Sequence, residues 1–189
     1  MGALGLPTRR WNQDEYERLI DAGILGTQDH VELLQGEITL MSPQSERHVT
    51  AISLSLAALQ QAFGAEYWLR VQSPFPLGSD TVPEPDIVVV PGTVRSYAGR
   101  RPTAALMAIE VADSSLSTDR HVKGPLYALG GIPDYWIINV ADRTVEVYRE
   151  PTTSHEGTDY RLIRTFRSGE LIPLLALPGV LLAVDDMLP

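Results

Sequence analysis

The sequence predicts an α/β (α+β) fold, a mixed central β-sheet flanked by helices. Three observations predict it. EPDIVVVPG and ALMAIEVAD are short apolar runs bounded by proline, glycine or aspartate, the pattern of strands buried on both faces. SERHVTAISLSLAALQQAFG and DSSLSTDRHVKGPLYALGG read as helices, one before and one after these runs. The remaining segments are mostly extended, and the order lacks the strict strand-helix alternation of a doubly wound sheet.

NQDEYERLIDAG places apolar Tyr16, Leu19 and Ile20 at helical spacing and stops at Gly23, a C-cap signal. HVELLQGEITLM reads as a hairpin turning at Gln35-Gly36. The long helix takes Ser45 as N-cap, lines up Ile52, Leu56, Leu59 and Phe63 on one face, and closes at Gly64. YWLRVQSPFPLG is extended. The two apolar runs follow, joined by a loop rich in glycine, proline and arginine, which suits antiparallel pairing of two central strands. The second helix is kinked early by Pro125 and ended by Gly130 and Gly131. DYWIINV and TVEVYRE pair around Ala141-Asp142-Arg143, DYRLIRTF adds a strand, and ALPGVLLAVDDML ends in a strand and a short helical turn.

With 189 residues, 44% hydrophobic, the chain is expected to form one domain over residues 1–189, with residues 1–10 a flexible N-terminus. It has no cysteine, which removes disulfides, thiol nucleophiles and thiolate zinc sites and fits a cytoplasmic location. No apolar run approaches the roughly 20 residues that span a bilayer, so no membrane association is expected. A net charge of −9 argues against a broad basic surface, although Arg95, Arg100 and Arg101 cluster locally in RSYAGRRP. The phosphate loops GxGxxG and GxxxxGK[ST] are absent. Ser114, Ser115, Asp119 and His121 hold triad residue types without the GxSxG elbow, which argues against a serine hydrolase. Trp68, Tyr135 and Trp136 fall on strands and are expected in the core.

The chemistry concentrates on two acids. Asp86 starts DIVVV and Glu110 sits near the end of ALMAIEV, so antiparallel strands bring both carboxylates to one edge of the sheet. Two like charges buried together call for a cation or a shared proton, and oxygen ligands select Mg2+ or Mn2+. The opposing reading, in which each acid ends its strand in solvent, is equally open on these two residues alone. Lys123 shifts the balance, because it is the single lysine among fifteen basic residues and its helix starts directly after the strand of Glu110. Asp119, Lys123 and Tyr127 lie at i, i+4 and i+8, one helical face. A lysine can be a point charge on water or exchange a proton, which arginine does not readily do. Two carboxylates and a lysine suit metal-assisted phosphodiester hydrolysis. Replacing Lys123 with alanine is then expected to abolish cleavage and leave folding intact.

PEPDIVVV followed by AIEVADSSLSTDRHVKGPLYALGGIPDYWIINV resembles the PD-(D/E)XK nuclease superfamily and, within it, the Uma2 (DUF820) family of restriction-endonuclease-like proteins. VELLQGEITLMSPQSERH and LPGVLLAVDDML extend the likeness over most of the chain. The resemblance implies a restriction-endonuclease-like core, with Pro85-Asp86 as the PD element and Glu110 as the acid of the third core element. The usual pattern has lysine two residues after that acid, where this chain has Ala112; the Uma2 pattern is similar to a variant with the lysine on the following helix, here Lys123. It also implies Glu32 as a third metal ligand and His48 as a supporting residue beside Asp119 and Tyr127. Glu32 as a surface hairpin residue and His48 as a structural hydrogen-bond partner stand as competing readings. The implied activity is that of a Mg2+- or Mn2+-dependent endonuclease acting on nucleic acid, DNA foremost, as a homodimer. Two further readings stand beside it: a nuclease fold kept as a silent binding or regulatory module, and glycoside hydrolysis by the Asp86 and Glu110 pair.

Overall fold

Two-residue hairpins whose turn residues both take positive φ match the twist of the strands they join, and Gln35 and Gly36 do so at 49° and 77°. In the computed structural model, which describes residues 8–26, 28–155 and 157–189, they join β1 (Val31–Leu34) to β2 (Glu37–Leu40) as the sequence predicts. Gly36 is required twice over, because a Cβ there would stand 2.8 Å from the Arg10 Cβ. The expected flexible N-terminus falls for residues 1–7 outside the described residues, while Arg10 donates to the Gln35 carbonyl at 2.7 Å. The chain divides into two compact units, one of Met1–Met41 with Pro74–Glu84, the other of Ser42–Ser73 with Pro85–Pro189.

The smaller unit combines the hairpin with α1 (Gln13–Asp21) and the 74–84 segment. Asn12 caps α1 in a reciprocal box with Glu15. Leu33 and Val82 exchange backbone hydrogen bonds of 3.3 and 2.7 Å, and their side chains bury Tyr16. Of the three apolar positions predicted on this helix only Tyr16 is buried, and Ile20 is exposed. A helix of nine residues against one hairpin has core for a single large side chain.

The larger unit holds α2 (Glu46–Phe63) and a six-stranded sheet. The strands are β3 (Tyr67–Val71), β4 (Ile87–Pro91), β5 (Met107–Ala112), β6 (Asp134–Asn139), β7 (Thr144–Ser154) and β8 (Gly157–Arg167), in spatial as in chain order. All neighbours are antiparallel except β5 and β6. A parallel pair needs a crossover, here α3 (Leu116–Thr118), a π turn at Asp119–Lys123 and α4 (Gly124–Leu129). Strands β9 (Leu171–Pro173) and β10 (Leu181–Ala183) pair separately, and a 3-10 turn follows. The α2 face packs Ile52, Leu59 and Phe63 against Ile87, Val89, Met107, Ile109, Trp136 and Val147. Every residue of β5 and β6 is buried, so Asp134, Asn139 and Glu110 enter the core only with polar partners. Asp134 has them in Arg149, at 2.9 and 3.1 Å, and the Trp136 indole, at 2.7 Å.

Candidate active site

Antiparallel register fixes which residues of β3, β4 and β5 stand abreast. Val71 pairs with Ile87 and Ile87 with Ile109, so one residue further Gln72, Asp86 and Glu110 stand abreast at one end of these strands. This register sets Asp86 and Glu110 at the same end of the neighbouring strands β4 and β5. Asp86 is 6% exposed and three elements hold its carboxylate. The Val111 amide of β5 donates to Oδ2 at 2.8 Å, and Gln72 Nε2 and His48 Nε2 stand 3.3 and 3.2 Å from Oδ1.

Sequence reasoning missed Gln72, which takes φ of 43° just beyond β3 and donates its own amide to the Asp86 carbonyl at 3.1 Å. A strand ending in VQSP gave no signal for it. His48 is carried by the first turn of α2, where Ser45 accepts from its amide at 3.2 Å and donates to Asp113 at 2.6 Å. Burial pulls the His48 pKa down, but the hydrogen bond and charge of Asp86 more than offset it, so the ring holds its proton above its usual range.

Glu110, 4% exposed, receives two donors on one oxygen: Lys123 Nζ at 3.1 Å and the Tyr127 hydroxyl at 2.6 Å from Oε1. The lone lysine and the tyrosine four residues on thus meet the acid of the preceding strand. The regular helical face predicted through Asp119 is corrected. Pro125 has no amide to donate to His121; the Gly124 amide bonds the Asp119 carbonyl five residues back, opening one π turn between Asp119 and Lys123. Asp119 is buried and its carboxylate accepts from Ser115 at 2.5 Å, while its carbonyl accepts from Tyr135 at 3.1 Å. Within the same turn Arg120 forms a forked pair with Glu146, to which Tyr148 also donates at 2.7 Å. Burial pushes the Glu146 carboxyl up, but these donors outweigh it and hold it below its ordinary value of 4.5.

Among the remaining candidates, Glu32 belongs to the smaller unit, where it is 4% exposed and accepts from the Glu84 amide at 3.2 Å. The reading of Glu32 as a surface residue is therefore corrected. Near it burial and the charges of Glu84 and Glu32 push the Tyr16 hydroxyl up to about 12. Tyr135 and Trp136 are fully buried as expected, whereas Trp68 on edge strand β3 is only half-buried.

Asp86 and Glu110 offer carboxylate oxygens, the ligand chemistry of Mg2+ and Mn2+. Among the described residues no group of three or more His, Asp or Glu side chains converges as a metal cluster. Two carboxylates still fit Mg2+, which keeps several waters and is completed by substrate phosphate.

A family model named Uma2 and described as "Putative restriction endonuclease" matches residues 13–185. No curated protein matches the chain. Among solved structures, a crystal structure from Anabaena variabilis, described as a "putative nuclease belonging to DUF820", superposes with a TM-score of 0.69 at 18% identity, covering 93% of this chain and 96% of that one. At that identity the likeness shows the fold.

Proposed function

The chain belongs to the Uma2 family, whose description reads "Putative restriction endonuclease", and from that premise we propose a Mg2+- or Mn2+-dependent endonuclease that hydrolyses phosphodiester bonds of nucleic acid, DNA foremost. The observation that carries this reading is the meeting of Lys123 and Tyr127 on Glu110, abreast of Asp86. Asp86 and Glu110 would hold the cation. The bound cation supplies charge neutralisation at the phosphate and a more acidic water.

The chain's own residues orient and move protons. Lys123 positions the attacking water or takes its proton for in-line attack, which leaves a 5′-phosphate. Tyr127 fixes the Glu110 carboxylate, and His48, Gln72 and the Val111 amide fix that of Asp86. No described helix is long and apolar enough to cross a membrane; a cytoplasmic homodimer, two copies cutting two strands, completes the proposal. Incubation with plasmid, linear duplex, single-stranded DNA and RNA, each with Mn2+, Mg2+ or chelator, tests it: cleavage is expected with metal and not with chelator, and failure on every substrate contradicts it.

One observation favours a silent binding module instead, namely that no group of three or more His, Asp or Glu side chains gathers among the described residues. A thermal shift with Mn2+ that disappears in Asp86→Asn supports the enzyme, and no shift in the parent supports the module.

A further inference from the structure

Outside this site, the edge strand β3 and the 92–101 loop build an arginine-aromatic cluster. Trp68 and Tyr97 rings lie 5.6 Å apart, the Arg70 guanidinium stands 5.2 Å over Trp68, and that of Arg100 stands 5.4 Å over Tyr97. Arg100 is further anchored by two hydrogen bonds to the Ser96 carbonyl, 3.0 and 2.8 Å, and Tyr97 by one to the Pro91 carbonyl, 2.7 Å. Burial, and then the positive charge of Arg101, lower the pKa of Arg70, which places these two guanidiniums in each other's field. Arg100 and Arg101 are exposed. On a chain of net charge −9, three arginines gathered on one edge make a local positive surface against the overall field.

The register ties this cluster to the carboxylates. Trp68 pairs with Val90, Arg70 with Val88 and Val88 with Ala108, so Trp68 and Arg70 line the same sheet face as Glu110. Successive same-face residues of a strand are about 7 Å apart, which sets Arg70 one step and Trp68 two steps from the Gln72-Asp86-Glu110 row. Guanidiniums present a planar fork that fits phosphate oxygens, and one already held by a carbonyl and a ring loses little freedom on binding.

We propose that this cluster holds the phosphodiester backbone of the nucleic acid leading into the cleavage site, with Arg100 and Arg101 on phosphate oxygens and Trp68, Tyr97 and Arg70 as their rigid base. The proposal rests on the nuclease reading and adds the surface that the strand follows.

The test is fluorescence anisotropy with labelled duplex DNA, single-stranded DNA and RNA, in chelator so that nothing is cut, across a salt series. Arg100→Ala/Arg101→Ala is compared with the parent and with Arg161→Ala/Arg164→Ala, an equal charge change at exposed β8 positions. On duplex DNA the first pair should flatten the slope of log affinity against log salt by about 2, near one unit per lost phosphate contact, and the β8 pair should leave it unchanged. A parent slope retained in Arg100→Ala/Arg101→Ala, or equal flattening in both pairs, overturns the assignment and spares the nuclease reading. A parent that binds none of the three nucleic acids overturns both. Unchanged melting temperatures of the exposed-loop variants are the folding control.

Discussion

Removing the lysine amine should weaken the fold as well as the chemistry. Lys123 and Glu110 are 8% and 4% exposed, with Nζ 3.1 Å from Oε1. Taking one partner from a buried ion pair costs about 3–5 kcal/mol because the other charge stays buried. The 2.6 Å bond from Tyr127 remains, so the lower end applies to Lys123→Ala, about 3 kcal/mol. For a chain of this length, at about 2–4 °C per kcal/mol, the melting temperature falls by about 6–12 °C. The assay is thermal and urea unfolding at neutral pH in chelator, with Glu110→Gln and the Lys123→Ala/Glu110→Gln double variant. Removing the carboxylate charge should return about 1.5–3 kcal/mol of the loss, the coupling expected of a bonded charged pair. A Lys123→Ala protein that melts with the parent would refute the buried-pair account. It would also restore the sequence-based expectation that this substitution leaves folding intact.

Tyr127→Phe removes one hydrogen bond to a buried carboxylate and should cost about 1.5–3 kcal/mol, with slower cleavage; a stability equal to the parent's in urea unfolding counts against that bond. Glu146 has a depressed pKa, so its stabilising contribution is present above the ordinary value of 4.5 and lost as pH falls through the lower folded value. Glu146→Gln should therefore flatten the acid limb of the stability-pH curve, and an unchanged limb contradicts the Arg120 pairing. His48 has the opposite sign: its pKa is raised from 6.5, so its contribution is full below 6.5 and fades as pH rises through the folded value. Removing the ring in His48→Ala should abolish that fading, as read from unfolding midpoints on either side of neutrality, and persistence of the step would place its origin elsewhere.

The fold was legible where burial forces a pattern. β5 and β6 are wholly buried and read as apolar runs, and the loop between DIVVV and ALMAIEV allowed the antiparallel pairing that sets Asp86 beside Glu110. A spacing of four residues sufficed to bring Lys123 and Tyr127 to one carboxylate. The π turn escaped because Pro125 was read as a kink, whereas the backbone answers its missing amide by lengthening one turn, in which the Asp119 carboxylate accepts from Ser115. Gln72 escaped because its role depends on a strand pairing and a positive φ that no local pattern announces. YWLRVQSPFPLG read as one extended segment, yet the chain leaves β3 at Val71 and its continuation reaches Val82, which pairs with Leu33 of a hairpin more than forty residues earlier. Trp68 looked like core because strand aromatics usually are, but β3 is the sheet's edge.

The most direct test of the central claim is single-turnover cleavage of plasmid DNA in Mn2+ by the parent, Asp86→Asn and Lys123→Arg. Metal-dependent cleavage by the parent, none by Asp86→Asn, and a severe loss in Lys123→Arg are the predicted results. Cleavage that survives chelator, or that proceeds at the parent rate in Asp86→Asn, would contradict the account.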